Sequence, residues 1–288
     1  MRPAEEGLLL LCCALGQPVR PLSAREYRQL AARFAAAPPA EGEVTAPLLR
    51  ALGFSAEFSA RVAGLLDRRE ALHRYLAQPG LTVLTRISKQ FPAALRKLGE
   101  DCPPALFLRG DAALLQTPCL ALTGSRRLRP ENRRFAESIG LLAAREGRTL
   151  VSGNAVGADQ TGQDACLHTG GRVICFIPDA LREHSTRKNV LFCSDEGWDI
   201  PFSSQRALRR NRYIHALGGI SFVAQCTAGS GGSWDGALVS LRARLSTVYI
   251  FHDGSPDAEA LTRYGAIPIA AAPPLLRHLP PPQLSIFD

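Results

Sequence analysis

Apolar positions along this chain change their spacing twice, which divides it into three regimes. From residue 1 to about 80 the spacing is helical. Leu8 to Leu15 reads as a first buried helix. Ser23 and Glu26 make a capping box ahead of a Tyr27, Leu30, Ala31, Phe34 stripe, and Pro38-Pro39 closes that helix. A second stretch, Ala46 to Leu52, stops at Gly53. A third, Ser55 to about Ala77, carries Phe58, Val62, Leu65, Leu66, Leu72 and Leu76. Short helices about a glycine turn suit either a binding module or plain packing.

Residues 81 to 117 form a connector. It has short apolar strands at Leu81–Leu84 and Ala105–Leu108, punctuated by Phe91-Pro92 and Pro103-Pro104. From Cys119 onward, strands and helices alternate. The strands are Cys119–Thr123, Thr149–Ser152, Val173–Ile177, Ile220–Ala224 and Thr247–Phe251. One helix runs from Pro130 through Phe135, Ile139, Leu142 and Ala143; others cover roughly 157–168, 205–217, 233–244 and 256–264. Alternation around buried strands predicts an α/β fold with a doubly wound parallel sheet, preceded by a small all-helical domain. The expected division is 1–80 helical, 81–271 α/β, and 272–288 a Pro-rich tail that packs little.

Charge changes this picture. Lysine plus arginine number 34 against 26 acidic residues, a net charge of +8 and a pI near 9.3, which favours a polyanionic partner. The lysines are Lys89, Lys97 and Lys188; the remaining cations are arginine. Arginine matches phosphate bidentately and stacks on bases, and a GC-rich coding bias would give the same excess. The eight cysteines form no C-x-x-C pair, so no zinc site is expected, and several fall within the predicted elements as small apolar residues, which suits a reducing compartment. Glu5 and Glu6 precede the short Leu8–Leu15 run where a secretory leader would carry positive charge, so a soluble, cytoplasmic protein is expected.

Candidate chemistry gathers on the loops that follow three strands. The first gives Gly124-Ser125-Arg126-Arg127, with Arg129 beyond. The second gives Ser152-Gly153-Asn154-Ala155-Val156-Gly157-Ala158-Asp159, and the third Gly229-Ser230-Gly231-Gly232-Ser233. In an open α/β sheet all three lie on the carboxyl edge, where glycine backbones and helix N-termini make anion nests. None is a G-x-x-x-x-G-K-[ST] loop. Arg206, Arg209, Arg210, Asn211, Arg212 and Tyr213 make a basic helix, four of them on one face. Upstream lie Arg182, Arg187, Lys188, Trp198 and Phe202. Cations with interleaved aromatics suit a single strand of nucleic acid; the alternatives are a solvated basic face and, for Trp198 and Phe202, the core. Asp159 suits a structural acceptor in its loop. No histidine spacing fits a metal, no serine has an evident histidine partner, and no cofactor is implied.

These residues, in this order, resemble the DprA/Smf family. The resemblance rests on Gly124-Ser125-Arg126, Ser152-Gly153-x-Ala155-x-Gly157-x-Asp159, Gly170-Gly171 and Arg210-Asn211-Arg212. The Gly231-Gly232-Ser233-Trp234-Asp235-Gly236-Ala237 stretch is similar to a G-G-T-W-x-G-A loop in one branch. Leu84-Thr85-Arg86, Phe91-Pro92, Pro103-Pro104 and Arg109-Gly110 resemble the family's entry into its main domain, over about residues 80 to 270 in all. Ser88 departs from the pattern, standing where an aspartate is common, as does Phe91 in place of tyrosine. No stretch resembles the winged-helix domain that many relatives carry. The resemblance implies an extended Rossmann-like fold, a homodimer, capture of single-stranded DNA without catalysis, and delivery of the strand to a RecA-type recombinase in recombination or transformation. Competing readings are a nucleotide phosphoribohydrolase of the LOG group, whose P-G-G-x-G-T-x-x-E loop has no match here, and a nucleotide-sensing domain. Finally, Gln283, Leu284, Ile286 and Phe287 resemble the Q-L-x-L-F peptide by which bacterial replication and repair proteins dock on the sliding clamp. Pro280 to Pro282 would project that peptide outward; the alternative is a tail folded back on its own domain.

Overall fold

A computed structural model describes residues 1–36 and 44–281. Its N-terminal region holds helices α1 (Pro3–Cys12), α2 (Ala24–Ala36), α3 (Ala46–Ala51), α4 (Ala56–Leu66) and α5 (Arg69–Leu76). The capping box forms: the Glu26 N–H donates to Ser23 Oγ at 3.2 Å, and the Ser23 N–H to the Glu26 carboxylate at 2.8 Å. The single helix expected over 55–77 is broken. Arg68 turns its guanidinium onto the carbonyls of Leu65, Ala14 and Cys13, and the chain restarts as α5. Leu22, Leu30, Leu49, Val62 and Leu65 share a local core, whereas Leu9, Leu10, Leu72 and Tyr75 pack into the core beneath the sheet.

The remaining elements are β1 (Leu81–Thr85), α6 (Ala93–Arg96), β2 (Ala105–Gly110), β3 (Cys119–Thr123), α7 (Pro130–Arg145), β4 (Thr149–Ser152), α8 (Ala158–His168), β5 (Arg172–Phe176), β6 (Val190–Ser194), α9 (Ser204–Gly218), β7 (Ile220–Val223), α10 (Gly232–Arg242), β8 (Thr247–Phe251), α11 (Pro256–Arg263) and β9 (Ile267–Ile269). The strands form one sheet in the order β1-β2-β6-β5-β4-β3-β7-β8-β9. From β6 to β9 every pairing is parallel; β1 and β2 add an antiparallel edge. The connector strands are therefore part of the sheet. They join it through β6, which the hydrophobic pattern did not single out. Pro268 obscures β9 in the sequence, and a proline is tolerated there because the strand lies at the edge.

Alternating side chains serve the two faces. Leu120 and Leu122 meet Phe135, Ala136 and Ile139 of α7, while Ala121 and Val151 meet Tyr213, Ile214 and Ala216 of α9. Trp234 and Ala237 of α10, with Leu261 of α11, cover Val223, Val248 and Ile250. The chain leaves β3 toward β4, β5 and β6, then returns on the other side of β3 with β7, β8 and β9. That reversal between β3 and β7 opens a crevice at the carboxyl edge.

Part of the Pro-rich tail corrects its expectation. Leu276 and Leu279 enter the core, the Tyr249 hydroxyl donates to the Pro280 carbonyl at 2.8 Å, and the Leu276 N–H donates to Glu146 at 3.2 Å. Two leucines are enough apolar surface to hold a segment whose prolines already restrict it. Among the described residues no helix is long and apolar enough to cross a membrane.

Candidate nucleic-acid interface

The parallel strands β3, β4 and β7 deliver their loops to one edge, and the loops interlock. Ser125 N–H donates to the Gln225 carbonyl at 2.8 Å, and Ala158 N–H to the Ser125 carbonyl at 3.1 Å. Gly157 adopts φ +95°, and a Cβ there would press on the Ser125 carbonyl and the Arg126 backbone. Ser125 Oγ accepts from the Arg127 N–H at 3.1 Å, closing a small turn that leaves Arg126 and Arg127 exposed. Asp159 closes the second loop from inside, its Oδ2 accepting from Gly153 N–H at 3.1 Å and Ala155 N–H at 3.2 Å. The third loop ends at Gly231 (φ +85°), the N-cap of α10, with no side chain capping that helix. Asn211 of α9 secures it by donating from Nδ2 to the Gly232 carbonyl at 2.7 Å.

Between the loops lies an open cleft of about 370 Å³. Gly124, Ser125 and Arg126 line one side, and Ser230, Gly231, Gly232 and Ser233 the other. Ala155, Asp159, Arg210 and Asn211 also contribute, as do Phe202 and Leu208, which are 55% and 44% exposed. Arg210 has the most unusual environment. It is 7% exposed, and its Nη1 stands 3.7 Å from Asp159 Oδ2. Its Nε has no hydrogen-bond partner, and its guanidinium makes no hydrogen bond among the described residues. The guanidinium lies over Gly153, where any Cβ would overlap it. Burial pushes the Asp159 carboxyl above its usual range, against the pull of Arg210 and the loop N–H groups; burial likewise lowers Arg210. A desolvated cation with spare donors, an uncapped helix N-terminus and glycine backbones face one volume. That arrangement accepts a phosphate.

The rest of the expected basic helix does not reach this cleft. Arg206 is buried, donates to the Ile200 and Pro201 carbonyls, and pairs with Glu196 at 3.1 Å. Arg209 pairs with Asp195 at 2.7 Å and with Glu196. Arg212 pairs with Asp101 at 2.5 Å, and the Tyr213 hydroxyl is buried against Asp195. The charges of Arg206, Arg209 and Arg212 are thus neutralised by carboxylates from the loop that follows β6 and from the connector. Ser152 is also inside, its Oγ accepting from Gln163. Asn154, at φ +58°, shapes the second loop without lining the cleft. Trp198 is half-buried against the core with Arg109 stacked on it at 5.0 Å, but Phe202 stands open beside the cleft. Below Asn211, His215 is wholly buried with neither ring nitrogen hydrogen-bonded, and burial lowers its pKa to about 4. The Gln283, Leu284, Ile286, Phe287 peptide lies outside the described residues.

Sequence reasoning missed Thr227, Leu208 and the role of Glu5. Ser88, the departure from the family's aspartate, donates to Glu5 Oε1 at 2.8 Å, and Thr85 reaches the same oxygen at 3.4 Å. Helix α1 thus brings a carboxylate to the position where the local residue lacks one.

Comparison with known proteins follows the same lines. Protein Smf of Escherichia coli strain K12 is 26% identical over 224 residues, 71% of this chain; the match spans 58% of that relative, less than two thirds of its length. The structure of DNA processing protein A from Streptococcus pneumoniae superposes with a TM-score of 0.72 at 19% identity, covering 94% of this chain and 96% of that one. DNA processing protein A from Helicobacter pylori, whose structure concerns its single-stranded DNA binding mode, superposes with a TM-score of 0.57 at 25% identity over 66% of this chain and 91% of that one. The model of the family described as DNA recombination-mediator protein A matches residues 82–247, more than half of the chain and the whole of the interlocked loops. This chain belongs to that family of DNA-processing proteins.

Proposed function

We propose that the switch-point cleft binds single-stranded DNA, and that the protein passes the strand to a RecA-type recombinase during recombination or uptake of transforming DNA, acting as a cytoplasmic homodimer. The carrying observation is Arg210, a buried guanidinium with unused donors facing the glycine loops. A phosphate completes its coordination and offsets a charge that Asp159 alone compensates at 3.7 Å. Gly124, Ser125, Arg126, Ala155, Gly231, Gly232 and Ser233 complete the seat, with Phe202 as a stacking surface for a base. Gly153, Asn154, Gly157, Asp159 and Asn211 hold its shape. The single-strand binding of the Helicobacter pylori relative and the family membership support this reading.

Among the described residues Asp159 is the one carboxylate lining the cleft, and its Oδ2 is committed to two N–H groups and Arg210. That favours binding over nucleotide hydrolysis. A labelled oligonucleotide titration beside a nucleotide-hydrolysis assay separates the readings. Single-strand binding without turnover is expected; turnover without binding overturns the proposal. The Gln283–Phe287 peptide supports a second partner, the sliding clamp, engaged independently of DNA. Deleting residues 283–288 should abolish clamp capture while leaving oligonucleotide affinity intact, and clamp capture by the truncated protein would refute it.

A further inference from the structure

Beyond Arg126 the carboxyl edge passes to the sheet face covered by α7 and α8. Arg126, Arg127, Arg133 and Arg134 are exposed there, and none is paired with a carboxylate among the described residues. The arginines of α9 are all paired, whereas this cluster carries its charge without a carboxylate partner among the described residues. Its placement is electrostatically unfavourable. Pro130 begins α7, so two arginines precede the positive end of the helix dipole and two sit just within it. The acidic residue of the first turn, Glu131, already pairs with Arg129 at 3.5 Å. Cations at a helix start with no carboxylate partner are the kind of local inconsistency expected at functional sites, and an anion would relieve it.

The geometry joins this cluster to the cleft. The Arg126 backbone packs against Gly157, immediately before α8, and Arg133 Nη1 donates to Thr161 Oγ1 of α8 at 3.2 Å. Arg126 and Arg133 therefore flank the same helix start. On the loop leading into it, Val156 is 65% exposed, an apolar side chain next to the glycine that packs on the Arg126 backbone. Alternating cations and apolar surface suit an unpaired strand, which presents both phosphates and base faces.

We infer that a strand seated in the cleft continues over the sheet edge onto the α7–α8 face. Arg127, Arg133 and Arg134 form a second phosphate track there, and a base rests on Val156. This rests on the cleft reading above.

The test is an anisotropy titration at low salt with single-stranded oligonucleotides of about 4 and about 16 nucleotides, spanning common single-strand footprints. The proteins compared are the parent, Arg126→Ala, Arg133→Ala/Arg134→Ala and Arg133→Lys/Arg134→Lys. The double alanine variant should lose at least tenfold in affinity for the long oligonucleotide, with its log–log salt slope reduced by about 1.4. It should hold the short one unchanged, and the lysine pair should keep most of the affinity. Undiminished long-strand binding overturns the track, as does an equal loss for both lengths, which would mean a diffuse field. If Arg126→Ala binds both lengths like the parent, the cleft reading itself has failed.

Discussion

Replacing Arg210 by methionine separates its two roles, as partner of Asp159 and as receptor of a phosphate. The single variant leaves the Asp159 carboxylate, 5% exposed, without its cation. Removing one member of a buried ion pair costs about 3–5 kcal/mol. The lower end applies here, because the pair is 3.7 Å apart and Asp159 keeps the Gly153 and Ala155 N–H donors. A loss near 3 kcal/mol corresponds to a melting temperature lower by roughly 6–10 °C in a domain of this size. Adding Asp159→Asn removes the stranded charge, so the double variant should recover most of that loss. Binding should not recover with it. A charge-assisted contact worth roughly 1.5–3 kcal/mol is absent from both variants, so oligonucleotide affinity falls about 10- to 150-fold in each. Thermal melts and anisotropy titrations on the same samples decide the matter. Parent-like affinity in the stable double variant would refute Arg210 as a phosphate receptor, and a double variant no more stable than the single would refute the account of the pair.

Arg126→Ala should weaken oligonucleotide binding by a similar factor with no change in melting temperature, whereas Arg212→Ala, which removes only the Asp101 pair, should leave binding unchanged; titration of both checks the assignment. Phe202→Ala should cost about 1–3 kcal/mol of single-strand affinity if a base stacks on it, and parent-like binding would assign Phe202 no stacking role. His215 predicts an acid sensitivity. Its folded pKa of about 4 lies below the usual 6.5, so the unfolded chain binds the extra proton and stability falls as pH drops from about 6.5 towards 4. The loss is about 2 kcal/mol at pH 5. His215→Leu should remove it in melts at pH 7.5 and 5, while Glu5 and Glu26, held down from 4.5 to about 2 by their hydrogen bonds, withdraw their stabilisation mainly as pH falls from about 4.5 towards 2, below the lower of the two test pH values.

The strands β3, β4 and β8 were legible to the residue, because continuous apolar runs between helix-period segments leave few other readings. The three loops were legible too, since glycine clusters after parallel strands must meet at one edge. Charge pairing was not. Arg206, Arg209 and Arg212 look like one basic surface along α9, but their partners, Asp101, Asp195 and Glu196, come from the connector and from beyond β6. Only tertiary structure brings these together. The same limit hid Glu5, which reaches Ser88 across 83 positions of sequence. β6 was missed because its run, Val190 to Ser194, is flanked by charges that read as a basic loop. β9 was missed because Pro268 interrupts three residues of strand. Arg210-Asn211 was recognised as a motif without its physical reason, which is visible only once Arg210 is seen lying over Gly153 and Asn211 holding Gly232.

The central claim is that the cleft between β3 and β7 holds the backbone of an unpaired DNA strand. The most direct measurement compares a labelled single strand with the duplex of the same sequence across a salt series. The account expects tighter binding of the single strand, weakening with salt at a log–log slope of about 0.7 for each neutralised phosphate. An affinity independent of salt, or a clear preference for duplex, would contradict it.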